Sequence, residues 1–103
     1  MERITLCDLR NESNHYELSA IYAEDKLTIT GENNNINKHN TQAIGHFEYH
    51  YFLDEANTSL FFEKLNMQDF KEIKEAFHGI NASRNFREFC NDNNIAFSYY
   101  NTI

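Results

Sequence analysis

Gly45 to Leu65, GHFEYHYFLDEANTSLFFEKL, is the stretch that most restricts what this chain can fold into. Phe47, Tyr49, Tyr51 and Leu53 recur at every second residue, the period of a strand that buries one face. Ile44, His46, Glu48, His50 and Phe52 fall on the other face. A strand this aromatic would invite aggregation at a bare sheet edge, so it is expected in the interior of a sheet. The polar turn that follows leads into a helix over residues 58–65, with Asn57 as its N-cap and Asp54 and Glu55 near its positive end. Phe61, Phe62 and Leu65 then form a stripe facing the core.

The flanking segments supply partners for this unit. Residues 3–10 read as a first strand, with Ile4 and Leu6 on one face and Cys7 and Leu9 on the other. The turn formers of residues 11–14 predict a hairpin to a second strand over 16–23, where Tyr16, Leu18, Ala20 and Tyr22 share a face. Glu24-Asp25 turns the chain into a third strand over 26–30, with Leu27 and Ile29 inward. Residues 31–42, GENNNINKHNTQ, read as a polar loop, and residues 43–53 as the central fourth strand. Beyond the first helix, Asn66 is expected to cap a second over 67–77, which buries Phe70, Ile73 and Phe77 and ends at His78-Gly79. Ser83 is expected to cap a third, with Phe86, Phe89 and Cys90 inward and Asn93-Asn94 as its C-terminal turn. A last strand over 95–101 alternates Ile95, Phe97 and Tyr99. The order βββ-β-ααα-β predicts a single α+β domain over residues 1–103: a mainly antiparallel sheet of about five strands with about three helices on one face.

Composition narrows the function classes. The net charge of -7 opposes direct contact with nucleic acid and suits a basic partner. That charge is concentrated: residues 1–32 hold seven acids against three bases, and residues 54–75 hold six against three. No apolar run is long enough to span a membrane, and the charged start MERITLCDLR does not read as a signal peptide, so a cytoplasmic protein is expected. Cys7 and Cys90 form no CxxC pair and read as reduced thiols, Cys90 on an apolar helix face. No nucleophile elbow, zinc-protease, P-loop or dinucleotide motif occurs, and no enzyme activity or cofactor is expected. His46-x-Glu48-x-His50 puts two histidines and a carboxylate on one strand face. Residues four apart in a strand lie roughly 13 Å apart, too far for one ion, and no metal is expected from that set alone.

LTITGEN, IGHFEYHYFLDEANTSLFFEKL and FREFCNDNNIAFSYY together resemble a group of small uncharacterised bacterial proteins. Their pattern is a strand ending in Gly-x-Asp, a strand centred on Glu-Tyr, a helix, and a closing helix and strand. The resemblance spans about residues 27–100 and rests most on Glu48-Tyr49. Asn33 stands where that pattern has Asp, and Asn94 where it has Gly. In size and acidity the chain also resembles the immunity proteins of bacterial toxin–immunity pairs, such as contact-dependent growth inhibition systems. That resemblance implies a non-catalytic cytoplasmic inhibitor of a cognate toxin domain, most often a basic nuclease, held by an acidic surface. The acids placed to form that surface are Glu24, Asp25 and Glu32 on the strand loops, Asp54 and Glu55 at the helix entrance, and Asp69, Glu72 and Glu75 on the second helix. Two other readings stay open: a structural or regulatory module that self-associates through its first or last strand, and a small enzyme using the Glu48 face.

Overall fold

The computed structural model of the chain describes residues 1–10, 12, 14–35 and 45–102. Its five strands are β1 (Glu2–Arg10), β2 (Asn14–Ala23), β3 (Lys26–Asn35), β4 (Gly45–Phe52) and β5 (Ser98–Thr102). They form one sheet in the order β1-β2-β3-β4-β5, every neighbouring pair antiparallel. Between β4 and β5 run α1 (Glu55–Leu65), a 3-10 turn over Phe70–Glu72 continuing into the short α2 (Ile73–Ala76), and α3 (Ala82–Asp92). The fold is α+β, as the strand and helix order requires.

Period-two patterning decides which sheet face the helices cover. Tyr22, Leu27, Ile29 and Tyr51 share a face through the registers Tyr22↔Leu27 and Ile29↔Tyr51. Tyr22 meets Phe62 of α1, and Tyr51 meets Phe86 of α3, with ring centroids 5.3 and 5.8 Å apart. Phe61, fully buried, joins the helical layer: Phe86 and Phe89 each lie 5.4 Å from its ring and Phe77 lies 5.9 Å away. Burying a Phe side chain contributes about 1.5–3 kcal/mol, so this four-ring cluster anchors the helices to one another. The opposite sheet face carries Thr28, Thr30, Glu32, Glu48, His50, Phe52 and Tyr100, all at least partly exposed.

Several local expectations are corrected. In β1 the register shifts between Thr5 and Cys7, so Leu6 is a bulge residue. The bulge resets the alternation: Cys7 and Leu9 pair with Leu18 and Tyr16 on the core face, and do not point away from it. Strand β3 does not stop at Thr30. Gly31 to Asn35 continue it, paired with β2 and β4, although their composition is that of a loop. The rest of that expected loop, and Ala43 and Ile44 of the expected β4, lie outside the described residues. The first helix starts at Glu55 because Asp54, not Asn57, is its N-cap: the Asp54 carboxylate accepts the Asn57 backbone N–H at 2.8 Å. Asn57 instead accepts the Ala96 N–H through its side-chain oxygen at 2.9 Å, tying α1 to the approach of β5.

Asn66 is also a stop and not a start. It sits in the left-handed region at φ 56°, and the Met67 N–H reaches the Phe62 carbonyl at 3.0 Å to close α1. The next helical segment is therefore shorter than residues 67–77. Asp69 caps it, accepting the Lys71 N–H at 3.0 Å, while Glu72 accepts the Asp69 N–H at 3.1 Å. Phe70, Ile73 and Phe77 are buried as expected. Gly79, at φ 83°, then turns the chain so that its N–H donates to the Leu6 carbonyl at the bulge. Asn81 precedes α3, so Ser83 lies inside the helix and its hydroxyl reaches Tyr51 Oη at 3.5 Å. Asn94 adopts φ 57° after α3, the left-handed position expected of it. The last strand begins at Ser98 because Ile95 is buried in the connection, where its N–H closes on the Cys90 carbonyl at 2.8 Å.

Candidate functional site

The β2–β3 turn fixes one end of the sheet. Glu24 and Asp25 both have positive φ, 54° and 63°, as the two-residue turn matching strand twist demands. The registers Glu2↔Tyr22, Thr28↔Phe52 and Phe52↔Ser98 bring the start of β1, the end of β4 and the start of β5 to that same end. Leu53 N–H donates to the Leu27 carbonyl at 3.0 Å, which places Asp54 and Glu55 beside the turn. Two acidic blocks about thirty residues apart in sequence thus become neighbours in space.

Tyr22 stands on one side of the turn, beside Asp25, Glu2 and Asp69. Its ring packs on Phe62 and Phe70, 5.3 and 5.6 Å away, and its hydroxyl donates to Asp25 Oδ1 at 3.2 Å. With Phe62, Met67 and Phe70 it lines a hollow of about 310 Å³ rimmed by Glu2, Gln68 and Asp69. Desolvation, the Asp25 hydrogen bond, and the Asp25 and Glu2 charges all raise the Tyr22 hydroxyl above its ordinary value. The phenol therefore stays a neutral donor at neutral pH. On the other side of the turn, Asp54 helps line a second hollow of about 360 Å³ with Lys26, Phe52 and Phe97. The Asp54 carboxyl is held below the usual carboxylate range by hydrogen bonds from the Asn57 backbone and side chain, and by Lys26.

Of the acids read from the sequence, Glu24, Asp25, Asp54, Glu55 and Asp69 lie towards this end, with Asp25 and Asp69 beside Tyr22 and Asp54 beside Lys26 in the second hollow. Glu72 is engaged in the Asp69 cap, and Glu75 borders a separate hollow with Leu65 and Met67. Glu32 is not part of the group. It lies six residues along β3 from the turn-side Lys26, roughly 20 Å away, on the helix-free face opposite Glu48.

That face holds a second feature which sequence reasoning missed. The registers Asp8↔Glu17, Glu17↔Glu32 and Glu32↔Glu48 set four carboxylates abreast on four strands. Cations and histidines interleave with them. His15 Nε2 lies 2.8 Å from Asp8 Oδ1, Arg3 lies 3.5 Å from Glu17, and His50 Nε2 lies 3.9 Å from Glu48 Oε1. Asp8, His15 and Glu17 offer one ligand atom each within 4.8 Å of one another, a closer set than a single strand could give. The His46 side chain lies outside the described residues. Strand alternation was the signal for this row, but the β1 bulge, which turns Asp8 to this face, leaves no mark in the sequence.

Among the described residues no helix is long and apolar enough to cross a membrane. Neither thiol is poised for chemistry: both are buried, and burial pushes Cys90 up to about 12. Comparison with protein-family models, with curated proteins and with solved structures returned no match.

Proposed function

We propose that this chain is a non-catalytic, immunity-type inhibitor that binds a basic toxin domain, most readily a nuclease, through the acidic end around Tyr22. The observation that carries this reading is the acid-rimmed apolar hollow itself. Tight protein interfaces rest on a few anchors seated in desolvated pockets, ringed by polar groups. A hollow walled by Tyr22, Phe62, Met67 and Phe70 accepts the aliphatic stem of a partner Arg or Lys, and Asp69, Glu2 and Asp25 meet its charge. A nuclease surface that recognises phosphate carries such basic side chains, and its positive field would speed encounter with this end of the molecule.

The test is protection. The chain is co-expressed with the toxin domain encoded in the neighbouring gene, and survival and co-purification are scored. Rescue with a one-to-one complex is the expected result. The triple variant Glu2→Lys, Glu24→Lys, Glu55→Lys, at exposed positions outside the helix caps, should slow association about tenfold or more at low salt. Tyr22→Ala should mainly speed dissociation. Absence of both rescue and complex would sink the proposal. A complex indifferent to the triple variant and to salt would move the interface elsewhere.

A further inference from the structure

We propose that a second copy of this chain docks on the free edge of β5, in antiparallel register, to join two sheets into one. The two edges of this sheet are built differently. Strand β1 is defended: it carries Glu2, Arg3, Asp8 and Arg10, it is bulged at Leu6, and Gly79 donates to the Leu6 carbonyl there. Charges and bulges are the devices that keep an edge from pairing with another chain. Strand β5, Ser98–Thr102, has no charge, no proline and no bulge. It pairs with β4 on one side, and the described residues place no strand on the other.

Its side chains also match a copy of itself. Tyr99 and Tyr100, 52% and 55% exposed, end two rows of rings formed with β4. On the helix face the row runs from Tyr51 to Tyr99, with ring centroids 5.2 Å apart. On the other face His50 stacks on Tyr100 at 6.1 Å. Full overlap of two five-residue strands about a two-fold axis sets Tyr100 opposite Tyr100, so the row on the helix-free face continues into the partner, while Tyr99 on the helix face meets the amide side chain of the copy's Asn101. Charge selects the same occupant and orientation. The acidic end lies at the Ser98 end of β5, so antiparallel pairing sends the two acidic ends to opposite extremes, where a parallel arrangement would crowd them. An uncharged strand with a negative end beside it fits another such strand better than it fits an acidic peptide. The strand is short, so the pairing belongs with weak, concentration-dependent interfaces.

The experiment measures mass by sedimentation equilibrium over a concentration series reaching the millimolar range, on the full chain alone. The wild type should rise from one copy towards two. Tyr100→Lys and, independently, Ser98→Lys should lower the association constant about tenfold or more while keeping the wild-type circular dichroism spectrum. Thr5→Lys on the β1 edge should leave association unchanged. Tyr100→Cys should give a covalent dimer with a short thiol cross-linker, because Cys7 and Cys90 are buried and stay unreacted. A one-copy mass at every concentration overturns the proposal, and so does a dimer that survives both β5 variants or is lost only in Thr5→Lys. Folded β5 variants that stay monomeric also serve the protection assay, so failure of either idea is read separately.

Discussion

The Tyr49 ring lies across Gly31 on the neighbouring strand, its registered partner, and its hydroxyl meets the Tyr16 hydroxyl 2.7 Å away on the strand beyond. A side chain at residue 31 would occupy the space the ring fills. Gly31 is buried in mid-strand, where glycine is otherwise costly, and the aromatic ring supplies the packing that the glycine lacks. Burial, reinforced by the Tyr49 hydrogen bond, raises the Tyr16 hydroxyl far above its ordinary value. Glycine and tyrosine here form a single packing unit across β3 and β4.

This relationship predicts a change of sign. Gly31→Ala should cost about 1–3 kcal/mol, because its methyl displaces the Tyr49 ring. In a Tyr49→Ala background the same substitution should stabilise by about 0.5–1 kcal/mol, since alanine loses less entropy than glycine in a strand. Urea unfolding of the four chains of the double-mutant cycle measures both effects. Equal costs in the two backgrounds would mean that the ring does not enforce the glycine.

Thr58 is a buried hydroxyl with two jobs. It accepts the Leu27 N–H at 3.0 Å and donates to the Leu53 carbonyl at 3.4 Å, bridging α1 to β3 and to the end of β4. Thr58→Val keeps the shape and strips the Leu27 N–H of its partner. The expected loss is about 1–3 kcal/mol, whereas Thr58→Ser should keep the hydrogen bonds and lose less. Chemical denaturation that ranks Val at or above Ser would contradict the bridge.

How much of this could be read from the chain follows from what each feature depends on. Alternation is a local property, so the core faces of β2 and β3 and the row from Phe47 to Leu53 were legible. The length of β3 was not: Gly31 to Asn35 have the composition of a turn and stay extended because β2 and β4 pair with them. The choice of Asp54 over Asn57 as cap was equally hidden. Both residues can cap, and the approach of Ala96, distant in sequence, engages Asn57 elsewhere. For the candidate site, the acidic blocks were visible as composition, but their approach to one another at the β2–β3 turn is a consequence of strand register. The carboxylate row needed the bulge as well.

Acid should weaken the start of α1. The folded-state Asp54 carboxyl titrates below its ordinary value, so its contribution is fully present above the unfolded value, 3.8 in the reference state, and is lost as pH falls through the lower folded one. Thermal melts from pH 7 down to pH 2 should show Asp54→Ala melting below wild type at neutral pH. The gap should narrow towards the acid end. Asp54→Ser, which can still cap, should fall between them at neutral pH. A gap that is constant with pH would separate the cap from the carboxylate charge.

The thiols give the opposite pH sense. Cys90 is fully buried and raised by that burial to about 12, and Cys7 is raised by burial and by Asp8. At pH 8 an aromatic disulfide reagent should label neither at an appreciable rate in the folded chain, and should label both in strong denaturant. Because the folded thiol resists ionisation, its contribution holds below the unfolded value near 9 and declines as pH climbs towards about 12. Rapid labelling of a single cysteine in native buffer would show that its segment opens readily.

The strands follow one another in space in the same order as they do along the chain. Consecutive neighbours in β1 through β3 meet by short-range closure, which makes most of the sheet kinetically cheap to assemble. The seam between β4 and β5 is the exception, joining Glu48 to Thr102 across the whole helical layer. Long closures of this kind form late, and a five-residue strand at the end of the sheet, paired on one side, has few interactions to hold it against local opening. The β5 amides should therefore exchange with solvent deuterium sooner than those of β2 and β3, and each such opening would bare the aromatic flank of β4.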